Sequence, residues 1–346
     1  MSDHKPTRLE QMDYLRGLAA LGIMCYHYGW WWLDIHFDSS EFLGLIGIYG
    51  VSIFYVLSGF TLQWVYGSRI VDHSDWKQFF RKRFFRIYPL FLAATILTLL
   101  ISKNWPDWRT VLYNVTGVFG LVAWDRSIAA GGWSIGNELV FYILFPLMII
   151  RNAGVNKLTS LLYLVTTMVF VCFAWSIIHD NVPIVDQWRG YSHPLNQLWF
   201  FFSGVLLCHF LSKYTVSPRW GYAIIAAAFL VLVFYPAQGD QSVIISGWNR
   251  MALSMMVLIL VMAFYWIRPF TNQFLHRALS WLGACSYSIY LLHPIVYKII
   301  KVGNERVMSH WVHVPNWFWM VISFGVTFIV SHWVYHKVER YFMRKA

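Results

Sequence analysis

Arg16 and His27 share one apolar run, Asp13-Tyr-Leu-Arg16-Gly-Leu-Ala-Ala-Leu-Gly-Ile-Met-Cys-Tyr-His27. An ionisable side chain in a stretch that would cross a bilayer costs free energy, so it is a functional-site candidate from the outset. The two residues are 11 positions apart. In a helix that separation is a rise of about 16 Å and slightly more than three turns, so both side chains face nearly the same way. The spacing predicts a guanidinium near one membrane face and an imidazole toward the other. Arg16 also follows Asp13 by three residues and can equally pair with it.

Further polar groups interrupt apolar context. Arg83-Phe-Phe-Arg86-Ile-Tyr-Pro89 places two guanidiniums on one helix face. Two such forks suit a phosphate ligand and suit lipid headgroups as well. Trp133-Ser134-Ile-Gly-Asn-Glu138-Leu-Val-Phe-Tyr142 carries a carboxylate about one turn inside a helix end. That carboxylate needs a partner, either an imidazole or an arginine. Gly283-Ala-Cys-Ser286-Tyr287-Ser-Ile-Tyr290-Leu-Leu-His293-Pro294 clusters hydroxyls with a histidine, which by itself also reads as a packing residue. In Val51-Ser-Ile-Phe-Tyr55-Val-Leu-Ser58-Gly59-Phe the small residues permit close helix packing.

Membrane helices must position these groups. The chain has 346 residues, 58% hydrophobic and 12% charged. The charged share is about half the soluble average. Strand alternation is absent, and several runs reach the roughly 20 residues a crossing helix needs. The fold class expected is all-α: one polytopic transmembrane bundle over residues 1–346, with no room for a sizeable soluble domain. Spans are expected at 14–33, 42–66, 84–101, 133–150, 158–178, 197–212, 220–237, 249–267, 280–300 and 315–336, about 10 in all. Segment 111–131 is a short or re-entrant eleventh candidate. If it does not cross, both termini share one side. That side then holds 19 of the 27 Lys and Arg, leaving Lys103, Arg109, Arg126, Arg189, Arg250, Lys298, Lys301 and Arg306 opposite. The positive-inside rule places the rich side, with leader 1–12 and the basic-aromatic interfacial segment 67–86, in the cytoplasm. The net charge of +11 is read as topology and anionic-lipid contact, not nucleic-acid binding. Cys25, Cys172, Cys208 and Cys285 lack CxxC spacing and read as buried small hydrophobes.

Several patterns fail on context. Gly132-Trp-Ser134-Ile-Gly136 fits a nucleophile elbow, which requires a strand-turn-helix in an α/β sheet. The glycines Gly44, Gly47 and Gly50 lack dinucleotide-fold spacing. No HExxH or Cys/His cluster calls for zinc. Asn114-Val-Thr116 matches a glycosylation sequon.

In order and spread from residue 13 to 339, these pieces together resemble the acyltransferase-3 family of integral membrane acyltransferases. They are Asp13 to Arg16 with His27, Phe54 to Gly59, Arg83 to Pro89, Trp133-Ser134 with Glu138, Ser286 to Pro294, and Glu339. The family often has two adjacent acidic residues after Trp-Ser; here Asn137 and Leu139 flank Glu138. Many relatives carry an extra C-terminal esterase-like domain, and this chain looks like the stand-alone form. The resemblance implies transfer of an acyl group, usually acetyl from acetyl-CoA, to a hydroxyl on a surface glycan or other extracytoplasmic acceptor. Acyl-CoA is then a donor substrate, no bound cofactor or metal is required, and the location implied is a bacterial cytoplasmic membrane.

On this basis Arg16, Arg83 and Arg86 are expected to grip CoA phosphates. His27, oriented by Glu138, is expected to act as general base or transient acyl carrier. Trp133, Ser134, Tyr287, Tyr290 and His293 are expected to line the site. Two competing classes are a transporter or flippase for a lipid-linked sugar, which also buries ionisable groups along a path, and an intramembrane hydrolase using Ser134.

Overall fold

The computed structural model describes residues 8–67, 73–150, 154–305 and 314–345. Residues 1–7 of the leader, 68–72 of the basic-aromatic segment, Arg151 and Arg306 lie outside them. All regular structure among the described residues is helical: α1 (Glu10–Leu33), α2 (Phe42–Tyr66), α3 (His73–Ile101), α4 (Trp108–Thr116), α5 (Phe119–Val122), α6 (Gly132–Met148), α7 (Lys157–Cys172), α8 (Trp188–Tyr191), α9 (Pro194–Leu211), α10 (Pro218–Val233), α11 (Gly247–Trp266), α12 (Gln273–Gly303), α13 (Asn316–Val334) and α14 (Arg340–Lys345). Each expected span coincides with one of these helices. Seven helices among the described residues are long and apolar enough to cross a membrane: Phe42–Tyr66, Ser74–Ile101, Lys157–Ile177, Trp188–Leu211, Gly247–Trp266, Gln273–Gly303 and Asn316–Lys345. Large apolar side chains such as Leu100, Leu161, Phe229 and Ile329 face outward, as a lipid-facing surface requires. Cys172 is exposed on that surface, contrary to its expected burial, because α7 presents most of its side to the outside.

Segment 111–131 does not form one helix. It breaks at Gly117, whose φ of 76° ends α4, and continues as the four-residue α5 and a loop. Asn114 braces this segment: its amide donates to the carbonyls of Thr110 and Arg126 and accepts from the Ile128 N–H. The sequon asparagine is thus fully buried and occupied. Residues 73–86 of the basic-aromatic segment form the first turns of α3, a single 29-residue helix.

Long helices that follow one another along the chain alternate in direction. Helices α1 and α2 run antiparallel, with Gly47 against Tyr26 and Gly50 against Ile23. Helices α2, α6 and α11 run parallel: Tyr55 meets Ser134 and Gln63 meets Ile150, while Tyr49 lies with Arg250 and Phe60 with Tyr265. Helix α3 opposes α6, with Phe79 on Phe145 at one end and Phe91 beside Gly132 at the other. Helix α13 opposes α1 through Tyr28–Thr327 and Trp32–Ser323.

Two close approaches set the frame. Helices α1 and α12 are parallel and in register: Gly17 abuts Gly283, His27 meets His293, and Trp31 meets Tyr297. A Cβ on Gly283 would sit 2.3 Å from the Asp13 carbonyl oxygen. Helix α9 lies as closely on α2, where a Cβ on Gly204 would sit 2.1 Å from the Val56 carbonyl oxygen. Small residues at such crossings let backbones touch. Gly204→Val must therefore separate α9 from α2. It is expected to lower the thermal stability of detergent-purified protein by about 1–3 kcal/mol or more; an unchanged melting temperature would contradict this packing.

Candidate active site

A cavity enters the bundle where the N-terminal ends of α1, α3 and α12 converge. Its mouth is widest, about 420 Å³, between Arg8, Asp13, Thr61, Arg83, Arg86 and Glu339. It narrows to about 90 Å³ between α1, α2, α3, α6 and α12, ending against Phe54, Tyr55, Ser134 and Tyr290. Arg16, Arg83, Arg86, Ser286 and Tyr287 line both parts, so the two adjoin.

The three arginines predicted to act together do meet here, and each is held differently. Arg16 donates to Asp13 at 3.0 Å, the pairing its spacing allows, and Glu138 and Arg86 also act on its charge. The Arg83 guanidinium lies over the rings of Tyr66 and Tyr142, at 5.8 and 6.0 Å, leaving its Nε buried without a hydrogen-bond partner. Arg86, one turn on, is exposed to the cavity. The Arg86 guanidinium, facing a roomy mouth, is suited to an anion. Glu339 is buried at the same mouth and accepts from the Ser288 hydroxyl.

Glu138 lines the narrow part, and its expected partnership with His27 is not formed. Its Oε1 accepts from the Ser58 hydroxyl at 2.7 Å and from the Tyr142 hydroxyl. The cause is direction. Helix α6 runs against α12, with Ser134 level with Tyr290, so Glu138 falls level with Ser286. That is seven residues, about 10 Å, short of His293.

His27 instead meets His293. His27 Nδ1 lies 2.9 Å from His293 Nε2 with the rings 21° from parallel, and His293 Nδ1 lies 3.0 Å from the Ile289 carbonyl oxygen. Trp31 stacks on His27 at 4.6 Å between centroids. His293 is 1% exposed whereas His27 is partly open. The pair lies one helix turn beyond Tyr290, just past the closed end of the cavity, with 6.3 Å between the Tyr290 and His293 ring centroids.

The remaining expected residues divide. Tyr287 lines the cavity and donates to the Ile87 carbonyl. Ser134 and Tyr290 hydroxyls lie 2.9 Å apart, and each also reaches the Gly131 carbonyl. No strand precedes Ser134 and no base adjoins its hydroxyl, so the nucleophile elbow is not formed. Trp133 points away from the cavity, packed on Trp188 and Tyr191. Among the described residues no three His, Cys, Asp or Glu gather into a metal-sized cluster. Ser58 and Tyr142 were missed as site residues. Their signal was the Ser58-Gly59 pair, whose glycine does pack on α9 while its serine turns to Glu138.

Similar proteins match nearly the whole length of this chain in sequence. Acyltransferase MdmB of Streptomyces mycarofaciens is 25% identical over 90% of this chain and 84% of its own length. The peptidoglycan O-acetyltransferase OatA of Listeria monocytogenes is 23% identical over 95% of this chain but 54% of its own, and the O-acetyltransferase OatA of Staphylococcus aureus is 24% identical over 99% and 58%. The chain thus spans somewhat more than half the length of these two O-acetyltransferases. No solved structure matches. The acyltransferase-3 family model, described as an acyltransferase domain, matches residues 9–336, nearly all of the bundle, and the chain belongs to that family.

Proposed function

We propose that this protein is a membrane O-acyltransferase that moves an acyl group, acetyl in the first instance, from cytoplasmic acyl-CoA to a hydroxyl of an extracytoplasmic glycan or glycolipid. The observation that carries this reading is the pair of adjoining cavities that lead from the arginine-lined mouth to the layer beneath the histidine pair. The mouth has the room and charge for the phosphates and nucleotide of CoA. The narrow part leads inward from the mouth and would take its extended pantetheine arm. The uninterrupted helix α1 keeps Arg16 and His27 about 16 Å apart along the bundle, the distance the arm would bridge.

Alternation of helix direction supports ten crossings with both termini on one side, and the excess of Lys and Arg on that side favours the cytoplasm of a bacterial inner membrane. The mouth then opens to the compartment that contains acyl-CoA. In the reaction, His27 takes the proton of the acceptor hydroxyl as its oxygen attacks the thioester carbonyl. The C–S bond breaks, and the same proton passes to the departing CoA sulfur. Glu138 sits between the arginines and the reaction layer. Its carboxylate balances their charge and can accept from an amide N–H of the pantetheine arm. Glu138→Gln is expected to lower kcat/KM for the donor roughly 10- to 100-fold with thermal stability retained; an unchanged kcat/KM removes the carboxylate from the site. The reading as a whole is tested by mass spectra of surface glycans from cells with and without the gene. A loss of acetyl mass increments is expected, and identical spectra across all glycan fractions would overturn it.

A further inference from the structure

The histidine pair carries information that a lone catalytic histidine would not. A carbonyl oxygen only accepts hydrogen bonds, so His293 Nδ1, 3.0 Å from the Ile289 carbonyl, must carry its proton. His293 is buried and no carboxylate bonds to either ring among the described residues, so an unpaired imidazolium there would be costly. His293 is therefore neutral, with a bare Nε2. The bond at 2.9 Å then requires His27 Nδ1–H as donor. In neutral His27 the second nitrogen, Nε2, is left with a free lone pair, and no described residue hydrogen-bonds it. The stacked Trp31 ring limits rotation of the imidazole.

Resting on the function proposed above, we infer that His293 is the positioning residue that fixes the tautomer of His27, making His27 Nε2 the proton acceptor. The carboxylate of a Ser-His-Asp triad does this from one side of its histidine. Here a backbone carbonyl does it through a second imidazole. When His27 takes the acceptor's proton on Nε2 it becomes an imidazolium, and its Nδ1–H remains donated to His293. The positive charge thus gains a stronger, charge-assisted hydrogen bond without any proton leaving Nδ1. Local sequence supplies the device. A helical side chain leans toward the preceding turn, which brings position 293 back over the Ile289 carbonyl. Pro294 has no N–H to give the Tyr290 carbonyl, and its ring opens that turn. The in-register α1 and α12 then bring position 27 against position 293.

Two measurements test this on the full-length protein in lipid nanodiscs. The first does not depend on activity. Nitrogen-15 spectra of histidine-labelled protein, assigned by difference from His27→Gln and His293→Gln, are expected to show both residues protonated on Nδ1 at neutral pH. A His27 protonated on Nε2 would overturn the inference. The second uses labelled acetyl-CoA with His293→Leu and His293→Gln. Donor affinity should match wild type in both. His293→Leu should lose at least about 100-fold in kcat, while His293→Gln, whose amide oxygen can accept from His27 Nδ1–H, should keep most of the rate. Equal losses in both variants, or none in either, would contradict a tautomer-fixing role. If wild-type protein fails to bind or use acetyl-CoA while the spectra show the stated tautomers, the donor assignment fails and the histidine relay stands.

Discussion

His27→Ala should lower acyl transfer by roughly 10²- to 10⁴-fold, the usual contribution of a positioned general base. The folded protein should survive the change. His27 is only partly buried, and its removal deletes one hydrogen bond and leaves His293 Nε2 unpaired, a cost of about 1–3 kcal/mol. Abundance in the membrane and thermal stability separate the two effects, because the rate is read per molecule of folded protein. Donor binding should persist, since the arginines lie at the other end of the cavity. A His27→Ala protein that transfers at the wild-type rate would remove His27 from the chemistry altogether.

The second large effect lies at the mouth. Replacing Arg83 and Arg86 together by Ala should raise the KM for acyl-CoA about 100-fold or more, with kcat changed much less. Each guanidinium can make charge-assisted bonds to phosphate worth about 1.5–3 kcal/mol. The effect belongs in KM because these groups grip a part of the donor that does not change during transfer. Arg83 already rests on Tyr66 and Tyr142, so its loss also removes packing; Arg83→Lys, which keeps charge but not the fork, isolates the bidentate contribution. A drop in yield with KM unchanged would make the pair a topology or lipid anchor, the other reading their basic-aromatic surroundings allow.

Much of this was legible in the sequence because membrane helices expose their logic to spacing. The Arg16–His27 separation survives as a distance along the bundle because α1 is one uninterrupted helix. The Arg83/Arg86 pairing survives because both residues lie in the regular helix that starts at His73, ahead of Pro89. What spacing could not give was the level at which different helices meet. Glu138 meets no histidine, because its depth depends on α6 running against α12, and on the Gly131 turn that sets where α6 begins. The His27–His293 contact joins residues 266 positions apart and depends on Gly17 and Gly283 letting two backbones touch. No local pattern around His293 announces it; the histidine reads equally well as packing until α1 is placed beside it. Ser58 was likewise assigned to packing, a role that its neighbour Gly59 fills.

The central claim is that a thioester donor enters at the arginine end and is consumed at His27. Purified protein in sealed vesicles, given labelled acetyl-CoA and a hydroxyl-bearing glycan acceptor, tests it most directly. Wild-type protein should bind the donor and pass the label to the acceptor, and His27→Ala should bind the donor with similar affinity and pass none. Failure of wild-type protein to bind acetyl-CoA, or equal transfer by the two proteins, would contradict it.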